Sequence, residues 1–143
     1  MKILVSACLL GENCKYNGSN NYNKAVVDFI KGHEVICVCP EVLGGLSVPR
    51  EPAELVDGTV MTKEHISVDK EFRKGAAAAL KQALDGQADM AVLQSRSPSC
   101  GVRQIYDGSF SQKLIAGQGI FAKLLQDAGV KIIDAEDIAN ETV

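Results

Sequence analysis

At 143 residues, 46% hydrophobic and 23% charged, the chain carries enough apolar content for one compact core, and no linker, repeat or low-complexity tract divides it. Fifteen basic residues against eighteen acidic ones leave a net charge of -3 with no basic run, so nothing in the charge points to a long nucleic-acid footprint and nucleic acid is not an expected partner.

The chain opens on "MKILVSACLL", in which one Lys, a short apolar run and a small residue before Cys8 imitate a lipoprotein signal. A signal core needs about 7 to 15 apolar residues, and this run is far shorter. The segment from Lys2, "KILVSA", is therefore read as a first strand of a cytoplasmic protein with no membrane partner. A helix follows over Asn23 to Lys31 and ends at Gly32, and "EVICV" from Glu34 reads as a second strand. Asp57-Gly58 marks a turn. Val68 to Leu84 places Phe72, Ala76, Ala79, Leu80 and Ala83 on one helical face and ends near Gly86. "MAVLQ" from Met90 is a third strand, and Asp107-Gly108 a second turn. Gly119 to Ala128 is a helix carrying Ile120, Phe121, Leu124 and Leu125, and "VKIID" from Val130 closes the series. Short, β-branched-rich apolar runs of this kind read as buried strands of a parallel sheet. Strands alternating with helices imply right-handed βαβ units covered on both faces: an α/β fold, a single three-layer Rossmann-like domain over residues 1–143 with a mainly parallel sheet, and hairpins or extended loops at the two Asp-Gly turns.

Five cysteines at irregular separations suit a disulfide framework poorly, above all in the cytoplasm, and leave metal binding or thiol chemistry. Cys8, Cys39 and Cys100 each fall just past the carboxyl end of a predicted strand, the rim where open α/β sheets bind ligands. Cys37, two residues before Cys39 on the same strand, is read as core packing. Cys14 could approach the rim from its loop. No Cys-x-x-Cys pair supports a zinc ribbon, and with only His33 and His65 a histidine-rich site is disfavoured. An iron-sulfur cluster accepts widely separated thiolates; three of them on a four-iron cluster would leave one iron open as a Lewis acid with a soft preference for sulfur.

The neighbours of these cysteines admit two readings. Glu41, two residues past Cys39, is either a general base beside such a centre or an acidic residue in the first turn of a helix. Ser97 and Ser99 either position a water or cap their turn. Gly44-Gly45 and the pair Gly117 and Gly119 allow close backbone approach without forming a phosphate-binding fingerprint.

"SACLLGENCKYNG", "CPEVLGGLSVPREPAEL", "SRSPSCG", "IYDGSF" and "GQGIFAKLL", in that order from residue 3 to about 135, resemble the thiouracil desulfurase family. The resemblance implies a 4Fe-4S cluster held by Cys8, Cys39 and Cys100 alone, with the open iron taking sulfur from a thiolated pyrimidine and releasing it as sulfide without net redox. It places the water-activating glutamate at Glu41 and the active-site serine at Ser97, with Ser99 as the substitute. Tyr16, Arg50 and Glu54 lie in matching motifs, and Ser99, Tyr16 and Arg50 are assigned as substrate contacts. Gln94 stands where the family pattern has a lysine, Glu51 where a second proline is common, and the stretch after Leu55 is shortened; these differences bear on substrate choice. The rival readings are a non-enzymatic cluster- or metal-binding protein and a metal-free thiol enzyme with Cys8 or Cys100 as nucleophile.

Overall fold

The computed structural model describes residues 1–140. Four parallel strands form the central sheet in the order β2-β1-β5-β8: β1 (Lys2–Ser6), β2 (Glu34–Val38), β5 (Met90–Leu93) and β8 (Lys131–Asp134). Helix α1 (Lys24–Ile30) links β1 to β2 and is capped by Asn23, whose side chain accepts the Val26 N–H. The short α2 (Pro40–Leu43) follows β2. Helix α3 (Asp69–Asp85) leads into β5, and α4 (Ile120–Asp127) into β8.

Two-residue alternation along the strands divides the core between the two faces. Leu4, Ala91 and Leu93 pack under α3 and α4 against Ala76, Ala79, Phe121 and Leu125. Ile3, Val5, Val92 and Ile133 face the other way, beneath α1 and two 3-10 turns, Ala7–Leu10 and Ala135–Asn140. Helices on both faces of a mainly parallel sheet are the expected three-layer α/β arrangement. The two Asp-Gly signals also mark real hairpins. Asp57 and Gly58, both with positive φ, join the antiparallel strands β3 (Ala53–Val56) and β4 (Thr59–Thr62). Asp107-Gly108 opens the longer loop between β6 (Gln104–Tyr106) and β7 (Leu114–Ala116). Glu54 ties the two hairpins together, its carboxylate accepting the N–H groups of Gly108 and Phe110.

Strand β2 corrects one expectation. It is an edge strand, and on the α1 side its Val35 and Cys37 are exposed rather than packed in the core. Only the opposite face of the strand, with Ile36 and Val38, reaches the α3 layer. The Cys37 thiol faces the Glu12 carboxylate at 3.9 Å, and burial of its sulfur followed by the Glu12 charge pushes its pKa up to about 11.

Two close approaches set the loops at the carboxyl ends of the strands. A Cβ on Gly75 of α3 would collide with the Pro40 carbonyl, and one on Gly44 with the Glu71 carbonyl, so α2 rests backbone to backbone on α3. At the start of α4 the N–H groups of Ile120, Phe121 and Ala122 donate to the carbonyls of Pro98 and Ser99, and Gly119 leaves no room for a side chain beneath them. The segments carrying Cys39 and Cys100 are thus each held by a helix.

Candidate metal centre

Strand β1 pairs with β2 on one side and β5 on the other, so the carboxyl ends of these three strands stand next to one another. Cys8 lies in the 3-10 turn after β1, Cys39 caps the start of α2, and Cys100 sits on the turn after β5. Cys8, Cys39 and Glu41 all lie within electrostatic reach of Cys100. Burial is the main cause that pushes the Cys100 thiol well above its ordinary range, and charges on Cys8, Glu41 and Cys39 all add to it. The Ser6 hydroxyl works against that rise; its oxygen accepts the Gln94 N–H at 3.0 Å, leaving its proton for the Cys100 sulfur.

A fourth thiol joins the three that the strand pattern singles out. Cys14 is buried, and its side chain meets both Cys8 and Cys39. It keeps its proton, its pKa raised by those two contacts, and as a hydrogen-bond donor it lowers the pKa of Cys8 and brings that of Cys39 down to about 7. Sequence spacing left Cys14 open because the loop from residue 11 to 23 has no periodic pattern. The only signal was its position six residues past Cys8.

Glu41 lies in the first turn of α2 with its carboxylate 20% exposed, against Arg50, which is 8% exposed. Nε and Nη2 of Arg50 both reach Oε1 of Glu41, at 3.3 and 3.2 Å, and Oε2 has no partner among the described residues. Burial raises the Glu41 pKa and Arg50 restrains the rise. Arg50 also donates to the carbonyl oxygens of Cys14, at 2.8 Å, and Ser47, at 3.2 Å. One guanidinium therefore fixes both the carboxylate and the Cys14 loop. Tyr16 is 41% exposed and accepts the Arg50 N–H through its carbonyl; its ring lies under the Lys15 ammonium, 5.8 Å from the centroid.

The serines separate into different roles. Ser97 Oγ accepts the N–H groups of Ser99 and Cys100, each at 3.0 Å, which fixes the turn and leaves the hydroxyl proton free to donate. Ser99 is fully buried, and its hydroxyl has no partner among the described residues. An unmatched donor beside Cys100 suits a soft acceptor supplied by a bound group.

The donor set is rich in thiols, contains no histidine, and has its nearby carboxylate already engaged by Arg50. His33 lies against the N-terminal amine instead. Among the described residues no three His, Cys, Asp or Glu side chains are arranged to hold one metal ion. A tetrahedral zinc site would need its sulfurs about 2.3 Å from a single centre. A donor set of cysteine sulfurs without histidine suits an iron-sulfur group, whose irons are held by cysteine thiolates and whose ligands bind separate irons. No helix among the described residues is long and apolar enough to cross a membrane.

Three comparisons bear on this arrangement. A protein from Bacillus subtilis (strain 168), named Uncharacterized protein YbbK, is 38% identical over 146 residues, covering 95% of this chain and 97% of that protein. The solved structure of a [4Fe-4S]-dependent thiouracil desulfidase, TudS, superposes with a TM-score of 0.91 at 35% identity, covering 97% of this chain and 93% of that one. The model of the 2-thiouracil desulfurase family matches residues 3–137. A match that spans the sheet and all four cysteines of the group settles the kinship: the chain belongs to the 2-thiouracil desulfurase family.

Proposed function

We propose that this chain desulfurates a thiolated pyrimidine of the thiouracil type on a 4Fe-4S cluster held by Cys8, Cys39 and Cys100. Membership of the desulfurase family and the likeness to a [4Fe-4S]-dependent desulfidase support the activity and the cofactor. The observation that carries the reading for this chain is the meeting of three strand-end thiols with a carboxylate that keeps one oxygen free. When bound, such a cluster offers an open iron that draws the thiocarbonyl sulfur and polarises the C=S bond.

The remaining work belongs to the protein. Glu41, held by Arg50 through Oε1, takes a proton from water at Oε2 as the water oxygen bonds to the thiolated carbon. The Ser97 hydroxyl, its oxygen fixed by two backbone N–H groups, donates its proton to orient that water. The C–S bond breaks, the sulfur leaves as hydrosulfide, and the ring keeps a carbonyl oxygen. Water supplies both the oxygen and the protons, so no external electron donor is consumed. The reading treats residues 1–143 as one cytoplasmic domain acting on a small molecule, in keeping with the absence of a basic run.

The test is anaerobic cluster reconstitution, with iron and sulfide counted, followed by incubation with 2-thiouracil and no reductant. Uracil and sulfide in equal amounts are expected. A fully loaded protein that turns over no thiolated pyrimidine overturns the enzymatic reading in favour of a cluster carrier.

A further inference from the structure

The sheet order puts a topological switch between β1 and β5: from β1 the chain crosses to β2 on one side, and later returns to β5 on the other. Ligands of open α/β sheets bind in the crevice outside such a point. A groove of about 430 Å³ lies there, lined by Asn20, Asn21, Tyr22, Gln94, Arg96 and Glu136 among others. Gln94 directly follows β5 and Glu136 lies just past β8. The groove carries little net charge, because Arg96 pairs with Glu136 at 2.9 Å. The Ser95 hydroxyl in its lining is spent on Asp134, the amides of Asn20, Asn21, Asn23 and Gln94 make up most of its other polar groups, and the Tyr22 ring is exposed beside them.

One of those amides touches the cysteine group. Asn21 Nδ2 donates to Cys8 Sγ at 3.5 Å. Asn21 Oδ1 has no partner among the described residues, while the Asn21 backbone N–H is anchored on the Cys8 carbonyl at 3.0 Å. The side chain is therefore set by its own backbone and has one free acceptor. Gln94 likewise has no side-chain partner there.

We propose that Asn21 is a positioning residue linking this groove to the cysteine group: its N–H donates to the Cys8 sulfur, and its carbonyl accepts a ring N–H of an uncharged heterocycle lying in the groove. The assignment rests on the functional reading above and adds to it the residue that joins substrate recognition to the cluster sulfurs. Hydrogen bonds to cluster thiolates stabilise the more negative reduced state and so raise the reduction potential. A ligand N–H lost from a neutral acceptor costs about five- to tenfold in affinity.

Asn21→Ala keeps the backbone anchor, so fold and iron content should match the parent. Two quantities are measured on the anaerobically loaded proteins: the dissociation constant of uracil by calorimetry, and the cluster midpoint potential by a titration followed by electron paramagnetic resonance. Asn21→Ala should weaken uracil binding about five- to tenfold and lower the potential. Asn21→Asp keeps an acceptor and removes the donor, so its uracil affinity should stay nearer the parent's while its potential falls. An unchanged value of either quantity in Asn21→Ala overturns the proposal, and so does an Asn21→Asp variant that loses as much affinity as Asn21→Ala. A parent that takes up no cluster overturns the functional reading and this inference together; a loaded, uracil-binding parent with unaffected variants overturns this inference alone.

Discussion

Gly75 of α3 and Pro40 of α2 meet backbone to backbone, so that even a methyl group on Gly75 would overlap the Pro40 carbonyl. The contact lies one residue from Cys39 on one side and one from Glu41 on the other, and it makes a helix crossing in the core responsible for two residues of the site. Gly75→Ala forces α2 away from α3. Overpacking of this kind costs about 1–3 kcal/mol, and the displaced segment should also hold iron less well. Denaturant unfolding of the cluster-free protein and iron content after reconstitution check both expectations. An unchanged midpoint with full iron loading would show that the crossing does not set the site.

Cluster-free protein should reveal an inverted order of thiol reactivity. Cys37 is exposed, yet at about 11 its pKa leaves ~1 in 10,000 as thiolate at neutral pH, whereas Cys39, less exposed but near 7, is about half ionised. Short treatment with iodoacetamide at pH 7 under reducing, anaerobic conditions, read by peptide mass spectrometry, should label Cys39 well before Cys37. Cys100, buried and pushed upward, should lag as well. Cys14→Ala removes the donor that favours the Cys39 thiolate, so labelling of Cys39 at pH 7 should slow. Faster labelling of Cys37 than Cys39 would contradict the placement of Cys14 between Cys8 and Cys39.

Much of the frame was legible because it obeys simple patterns. The four sheet strands follow from short apolar, β-branched-rich runs and the three longer helices from 3.6-residue repetition ended by Gly, and the Asp-Gly pairs, read as hairpins or extended loops, mark both hairpins. The error at Cys37 has a physical source: alternation says which residues share a face, but not whether a helix covers that face, and α1 leaves it open over the edge strand. The strand-end rule located Cys8, Cys39 and Cys100. It said nothing of Cys14, Asn21 or Arg50, which reach the group from irregular loops through contacts that span up to 36 positions in sequence. Arg50, expected as a substrate contact, holds Glu41 and two carbonyl oxygens.

Ser97 and Ser99 should respond oppositely to alanine. Ser97→Ala leaves the N–H groups of Ser99 and Cys100 without their acceptor and should cost about 1 kcal/mol in the cluster-free protein. Ser99→Ala removes a buried hydroxyl that has no partner, so the cluster-free protein should be as stable as the parent or slightly more so. Thermal unfolding of the two variants side by side decides this. A marked loss of stability in Ser99→Ala would mean that its hydroxyl is engaged within the protein.

Glu41→Gln separates the base from everything else that the Glu41 side chain does. The amide keeps the length of the side chain, and its oxygen can still accept from Arg50, so α2 and the Cys14 loop should hold their places. What disappears is the proton acceptor at the second oxygen. Iron content and absorption spectrum after reconstitution should equal the parent's, since the three strand-end thiols are untouched. Turnover of 2-thiouracil should fall by about 100- to 10,000-fold, the range for loss of a general base. Ser97→Ala should lower turnover less, because a hydroxyl orients water without taking up its proton. Arg50→Met bears on the same carboxylate from its other side: without the guanidinium, burial alone acts on Glu41 and its pKa rises further. The base works only when ionised, so the acid limb of the parent's rate profile lies below that of Arg50→Met, and activity in the variant should be lost at a higher pH as pH falls. Undiminished turnover in fully loaded Glu41→Gln would remove Glu41 from the mechanism and leave Ser97 as the residue that directs the water.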